Sequence, residues 1–355
     1  MKIVFDSFSK YDAGIFSYDQ CRNIIGGSWI YLLAKHAQEN NMQLILADAY
    51  LAEGDYSAHD VFISEGVTRN TNRLLSTVAV PFMIYSGESP NVDWKFYIRI
   101  GKHSKPYTYA MLFPGLKSYV HQTTKFIPFY WPNDPNNEIP DTVLRIIPPR
   151  ANKIVMIASN RKQNSSRSES VAKSFIKKYG MKLFSRIIPS LKLVDLYVVR
   201  MEAIKYFSKT GYLDLYGKNW ENWTGLSDAE KTAITRLNPR EVSNKYTLLT
   251  RYRFALCFEN CIYPGYITEK IFDCFFARCI PIYYGAPDIK DYIPKNTFID
   301  FRDFHDFAEL KGRLTSMSEK EYNSYIQNIN KYICSKEFER FIDSTFAAKV
   351  ISLLS

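Results

Sequence analysis

The sequence is poor in the residues that staple or metallate a fold. Its six cysteines, Cys21, Cys257, Cys261, Cys274, Cys279 and Cys334, are too few and too scattered among 355 residues for a disulfide framework. Four of them read C-x3-C and C-x4-C, a spacing that does not suit paired zinc knuckles. Cys257, Cys274 and Cys279 instead lie among Phe, Leu and Ile, as small buried thiols do. The five histidines show no ligand spacing, so no metal site is expected and no cofactor is called for. Long apolar runs are missing too: Trp29 to Ala34 is far short of a membrane span, and Met1-Lys2 leads straight into Ile3-Val4-Phe5 without a signal-peptide pattern. The expectation is a cytoplasmic chain, with peripheral contact at the inner face of a membrane left open. There is no short-period repeat and no low-complexity tract, and 46% hydrophobic with 23% charged residues excludes a disordered or fibrous chain.

What is present is a basic excess, 46 Lys plus Arg against 36 Asp plus Glu, giving +10. Such a surface favours phosphates, anionic lipid headgroups or nucleic acid. The 26 Tyr and 24 Phe could stack bases, but they are spread along the chain at apolar strand and helix positions, and no RNP-like or helix-turn-helix pattern accompanies them. Nucleic acid is therefore not expected as a partner.

The length suggests two α/β domains. Strand signals at Ile3-Val4-Phe5, Leu44 to Ala47, Val61 to Ser64 and Pro81 to Tyr85 alternate with helix signals, the first of which follows Gly26-Gly27. Alternation of this kind implies right-handed crossovers and a parallel sheet. Six of the sixteen prolines fall between Pro128 and Pro149, which reads as an interdomain connection. The alternation then restarts with strands at 154–158, 213–216, 254–258 and 280–284 and helices at about 167–179 and 269–277. The expected architecture is two Rossmann-like domains with a cleft between them: residues 1–150, with a linker at about 132–150, and residues 151–355, with the last helix able to pack back on the first domain. Ligands of such sheets bind beyond the carboxyl ends of the strands.

Two strand-to-helix junctions carry polar residues that suit a diphosphate. After strand 154–158, Ser159-Asn160 leads to Ser166-Arg167-Ser168-Glu169, a capping box that places Arg167 on the first turn of a helix. A solvated surface arginine is the plainer reading, since ten Lys and Arg stand against one acid, Glu169, between Arg145 and Lys182. After strand 254–258, Glu259-Asn260 closes the strand, and Tyr266-Ile267-Thr268-Glu269-Lys270 opens the next helix with Thr268 as N-cap. Lys270 opposes the helix macrodipole there, which is easier to explain if an anion sits above it. Glu269 suits the dipole and could also accept hydrogen bonds from sugar hydroxyls.

The run Tyr252 to Asn260, then Gly265 to Ile271, then Ile280 to Pro287 resembles the signature of the α1,3/α1,4-fucosyltransferase family, F-E-N, Y-[IV]-T-E-K and P-I-x-x-G-x-P, and the match continues through Phe298 to Phe304. Ser159-Asn160 with Arg167, and Tyr216-Gly217, resemble further elements on the donor side. In the first domain, Tyr85-Ser86-Gly87-Glu88-Ser89 resembles the family's Y-x-G-E-N, with Ser89 where asparagine is usual, and the acceptor half has diverged.

The resemblance implies a GT-B fold, a GDP-activated sugar donor such as GDP-fucose, and inversion at the anomeric carbon without a required metal. It assigns the diphosphate to Arg167 and Lys270, the diphosphate and sugar to Asn260 and Tyr266, and donor hydroxyls to Glu269. Glu88 takes the position of the base that accepts the acceptor's proton; Asp93 and Glu65 are its rivals at neighbouring strand ends. The expected acceptor is a glycan or lipid-linked glycan in surface polysaccharide or lipopolysaccharide synthesis. Two alternatives stand beside this reading: a transferase of another GDP-linked deoxy or aminodeoxy sugar, and a noncatalytic sugar-nucleotide or glycan binder.

Overall fold

The computed structural model describes residues 1–9, 11–21, 24, 26–90, 92–133, 150–160 and 195–354. The chain divides into one unit of Met1–Asp134 with Glu339–Ser355 and a second of Pro135–Phe338.

In the first unit the strands are β1 (Lys2–Asp6), β2 (Gln43–Leu46), β3 (Val61–Glu65), β4 (Val80–Tyr85), β5 (Tyr109–Leu112) and β6 (Lys125–Pro128). They form a parallel sheet in the order β2-β1-β3-β4-β5-β6. Helix α1 (Ser28–Glu39) is the one read after the glycine pair. It buries Trp29, Ile30 and Leu33, and Trp29 packs edge-on to Phe5 and Tyr85. Strands β5 and β6 were not foreseen from the sequence, and β6 lies where the proline-rich connection was expected to begin. Pro128 is tolerated because β6 is the edge strand, where a missing N–H breaks no ladder. Residues 134–149, most of the expected linker, lie outside the described residues.

The chain returns to this unit at its end. Asn133 and Ile342 form a bridge, with Asn133 N–H donating to the Phe341 carbonyl at 2.9 Å and Asp343 N–H donating to the Asn133 carbonyl at 2.9 Å. The helix Asp343–Leu354 then lays Phe346 against Trp29 (5.0 Å between rings) and Phe129 (5.6 Å).

The second unit is a parallel sheet of β7 (Ala151–Ile157), β8 (Leu213–Tyr216), β9 (Tyr252–Phe258), β10 (Ile280–Tyr284) and β11 (Ile299–Asp300), in the order β11-β10-β9-β7-β8. Every residue of the central strand β9 is buried, as a strand covered on both faces requires. Around it lie Ile154, Met156, Phe207, Leu215, Ile280 and Ile282. The Tyr216-Gly217 strand end needs its glycine: a Cβ there would stand 1.9 Å from the Ala158 carbonyl oxygen, and φ is +132°. Among the described residues no helix is long and apolar enough to cross a membrane.

The docking of the C-terminal helix is open to test. Phe346→Ala removes a buried ring from a three-ring contact in the first unit, and the expected cost is about 3–5 kcal/mol. A denaturation profile following the first unit should show the loss; an unchanged midpoint would mean that the helix contributes nothing to it.

Candidate functional site

The carboxyl end of β9 is built around a buried carboxylate. Glu259 follows the last residue of the strand, is 0% exposed, and its backbone N–H extends the pairing with β10 by donating to the Tyr284 carbonyl at 2.8 Å. Its Oε1 accepts from the Thr268 N–H (2.9 Å), and its Oε2 accepts from the Thr268 hydroxyl (2.8 Å) and from Lys270 Nζ (3.2 Å). Gly285 makes room for this side chain, because a Cβ there would come within 2.5 Å of Glu259 Cγ. Three charge-assisted bonds leave this buried anion well satisfied.

Thr268 is the N-cap of the helix Glu269–Phe276, as its place in the sequence suggested. Its hydroxyl makes no side-chain cap and donates to Glu259 instead. Lys270 Nζ also reaches the Thr268 hydroxyl (2.8 Å) and Glu269 Oε1 (3.3 Å). The anion that explains a lysine at this helix start is thus in the first place the protein's own Glu259. Burial opposes the Lys270 charge, but Glu259 and Glu269 outweigh it and hold the ammonium above its ordinary pKa. Burial would likewise raise the Glu269 carboxyl, but Lys270 and Lys245 overcome it and hold it below its ordinary range. Both groups are charged at neutral pH, and their side chains are partly exposed, 26% for Lys270 and 17% for Glu269.

Asn260 and Tyr266 sit deeper than a role on a ligand's surface would suggest. Tyr266 is 2% exposed, and Asn260 Nδ2 donates to its hydroxyl at 3.3 Å. Arg200, on the helix Tyr197–Ser208, is 7% exposed and donates through Nη2 to the Phe258 carbonyl and to Asn260 Oδ1 (3.2 Å). Asn160, at the end of β7, accepts from the Tyr197 hydroxyl (2.8 Å) and donates to the Asn222 carbonyl (3.0 Å). Sequence reasoning did not select Glu259 or Arg200. The signal for Glu259 was an acid closing a wholly apolar strand; for Arg200 it was an arginine in the apolar run Tyr197-Val198-Val199-Arg200-Met201. Arg167 and the capping box around it lie outside the described residues.

In the first unit Glu88 lies just beyond the carboxyl end of β4, with its side chain exposed and its carbonyl accepting from the Tyr97 hydroxyl at 2.5 Å. The close approach at Gly87 comes from the rings of Phe129 and Trp131, 3.2 and 3.3 Å from where a Cβ would be. Glu65, the last residue of β3, is committed to Ser7, whose hydroxyl donates to it at 2.5 Å. Asp93 is the N-cap of the short helix Trp94–Ile98 but makes no side-chain cap, and its Oδ2 is buried without a hydrogen-bond partner among the described residues. Burial, with the negative charges of Glu88 and Glu65, pushes its carboxyl up to about 6. The three carboxylates weighed as the base therefore share one neighbourhood, with Glu88 the most open.

A sequence profile of Glycosyltransferase family 10 (fucosyltransferase), C-terminal part, matches residues 190–348. The α-(1,3)-fucosyltransferase FucT of Helicobacter pylori is 49% identical over 69 residues, 19% of this chain and 14% of that protein. Drosophila melanogaster α-(1,3)-fucosyltransferase B is 30% identical over 154 residues, 42% of this chain and 34% of that protein. The chain thus spans about a third or less of the length of these curated relatives. A crystal structure of an α1,3-fucosyltransferase with GDP aligns over 99% of this chain and 89% of that one with a TM-score of 0.52 at 17% identity. The Anabaena protein HepE, solved with UDP and glucose, aligns over 100% and 99% with a TM-score of 0.53 at 10% identity. The two parallel-sheet α/β units are those of the GT-B fold, and the resemblance to the fucosyltransferase family holds over the segment containing the Glu259 cluster.

Two outcomes test this geometry. Gly285→Ala should push Glu259 out of place and destabilise the second unit by about 1–3 kcal/mol, the overpacking range, read as a lowered denaturation midpoint. Asp93 titrates near 3.8 when unfolded and about 6 when folded. Its ionisation therefore costs stability above pH 6, and that cost vanishes as pH falls towards 4. Asp93→Asn should stabilise the protein at pH 7 and leave it near the parent at pH 4; an equal effect at both values would show that the charge is not the cause.

Proposed function

We propose that the chain, whose residues 190–348 carry the fucosyltransferase-family match, is a metal-independent inverting glycosyltransferase that moves fucose from GDP-fucose to a hydroxyl of a glycan. The observation that carries the reading is the cluster at the carboxyl end of β9, where Glu259 fixes Lys270 and Thr268 at a helix N-terminus. Strand ends of this kind are where open α/β sheets bind ligands, and a helix start supplies N–H groups to a phosphate.

Lys270 and Arg200 together balance Glu259 and Glu269, so the charge of a departing diphosphate calls for the first-turn N–H groups and one further cation. Arg167 is our choice for that cation, and a glycosyl site supplied this way needs no metal. Glu269 is assigned to donor hydroxyls, with Asn260 and Tyr266 supporting the donor pocket. In the transfer, the acceptor oxygen bonds to the anomeric carbon as the bond from that carbon to the diphosphate oxygen breaks. The hydroxyl proton passes to the Glu88 carboxylate, and GDP leaves with the bonding electrons. A lipid-linked or surface-glycan precursor is proposed as acceptor, the basic balance favouring a location beside anionic lipid.

The experiment is a nucleotide panel followed by transfer assays. GDP should raise the melting temperature more than UDP, CMP or ADP at equal concentration. Lys270→Ala should weaken GDP binding by about 1.5–3 kcal/mol, and EDTA should leave activity intact. Glu88→Gln should lower transfer by ~10²-fold or more with GDP affinity close to the parent's. Stabilisation by UDP alone would end the donor assignment, and normal transfer by Glu88→Gln would pass the base to Asp93 or Glu65.

A further inference from the structure

Three neighbouring strands of the second sheet carry an arginine at or just before their amino ends. Arg150 directly precedes β7, Arg253 is the second residue of β9, and Arg278 stands two residues before β10. Because β10, β9 and β7 are adjacent and parallel, these residues collect at the amino end of the sheet, opposite the end that holds Glu259 and Lys270. With Tyr322 of the helix Glu319–Ile333 they line a cavity of about 400 Å³. The one carboxylate among its lining residues is Glu319.

The three guanidiniums are not equivalent. Arg150 is structural: Nη1 donates to the Tyr252 carbonyl (3.1 Å) and Nη2 to the Ala277 carbonyl (2.9 Å), tying the starts of β9 and β10 together. Arg253 lies 4.2 Å from the centre of the Tyr322 ring and donates through Nη1 to Glu319 at 2.5 Å. Its Nε and Nη2 are buried with no hydrogen-bond partner among the described residues, in a residue only 9% exposed. Arg278 makes no side-chain hydrogen bond or ion pair with any described residue. Three cations against one acid leave an excess of two positive charges in one cavity, and a buried guanidinium with unmet donors is costly. Glu319 compensates weakly, since its side chain is 74% exposed and such rim pairs contribute little.

We propose that this cavity is a second anion site, which takes a phosphate-bearing ligand when Glu319 swings away from Arg253. Phosphate is the chemistry that fits, because two guanidinium forks can each grip it through paired N–H groups and it carries enough charge to offset the excess. A cavity of this size accepts a small phosphate ester or a phospholipid headgroup. The site is independent of the donor reading, since it lies at the other end of the sheet.

The test titrates the full chain with inorganic pyrophosphate in a thermal-shift assay, at ionic strength held constant with NaCl. The parent should show a saturable rise in melting temperature. Arg278→Ala, which removes no side-chain hydrogen bond or ion pair to a described residue, should weaken the apparent affinity by about tenfold or more. Glu319→Gln removes the competing charge and should strengthen it, and the rise should persist with GDP present at saturation, which fills the donor site. An undiminished response in Arg278→Ala, or a response abolished by saturating GDP, overturns the proposal. A second arm separates the two sources of phosphate. Flotation with phosphatidylglycerol vesicles but not phosphatidylcholine vesicles, lost in Arg278→Ala, identifies a headgroup; saturable pyrophosphate binding without flotation identifies a soluble phosphate ester. Both results support the site.

Discussion

The buried carboxylate of Glu259 is the constraint on which the second unit's chemistry rests. Taking an anion wholly out of water costs several kcal/mol unless every lone pair is met. Here Thr268 and Lys270 meet it, and so the turn from strand into helix is fixed. A lysine in the first turn would otherwise work against the helix dipole. Glu259 reverses that sign locally, so the helix start keeps both its N–H groups and a positioned ammonium. Gly285, on the neighbouring strand's exit, is the space that this arrangement needs.

The two ends of the same sheet carry opposite electrostatic solutions. At the carboxyl end, Lys270 lies within hydrogen-bond reach of both Glu259 and Glu269, and Arg200 adds a second positive charge while donating to the Phe258 carbonyl and Asn260. At the amino end, arginines gather with a single exposed acid. A balanced cluster is rigid and specific; an unbalanced one is available to an external anion.

The first unit holds its carboxylates differently. Glu65 is tied to Ser7, Asp93 is half-hidden and kept from ionising readily, and Glu88 stands open beside them with its backbone anchored by Tyr97. Three acids from two adjacent strand ends can share one neighbourhood only because each differs in solvation, so that their charges do not have to coexist at full strength. The aromatic packing of Trp29, Phe129 and Phe346 keeps the end of the chain on this unit.

The sequence by itself determined the alternation of strands and helices, the parallel sheets, and the start of the helix at Thr268-Glu269. These depend on runs of apolar residues and on capping residues a few positions apart, which are local properties of the chain. It did not reveal β5 and β6, because Tyr109 to Leu112 is only four residues long and Pro128 reads as a breaker until its place at a sheet edge is known. Nor could it settle where the domains divide. An amphipathic final helix declares that it has an apolar face, but only the packed structure says which core covers it. The pairing of Glu259 with Lys270, eleven residues apart, and of Arg200 with Asn260, sixty apart, arises when the chain reverses and excludes water. Burial and partner geometry decide whether a charged side chain is surface, strut or site, and those are properties of the tertiary structure.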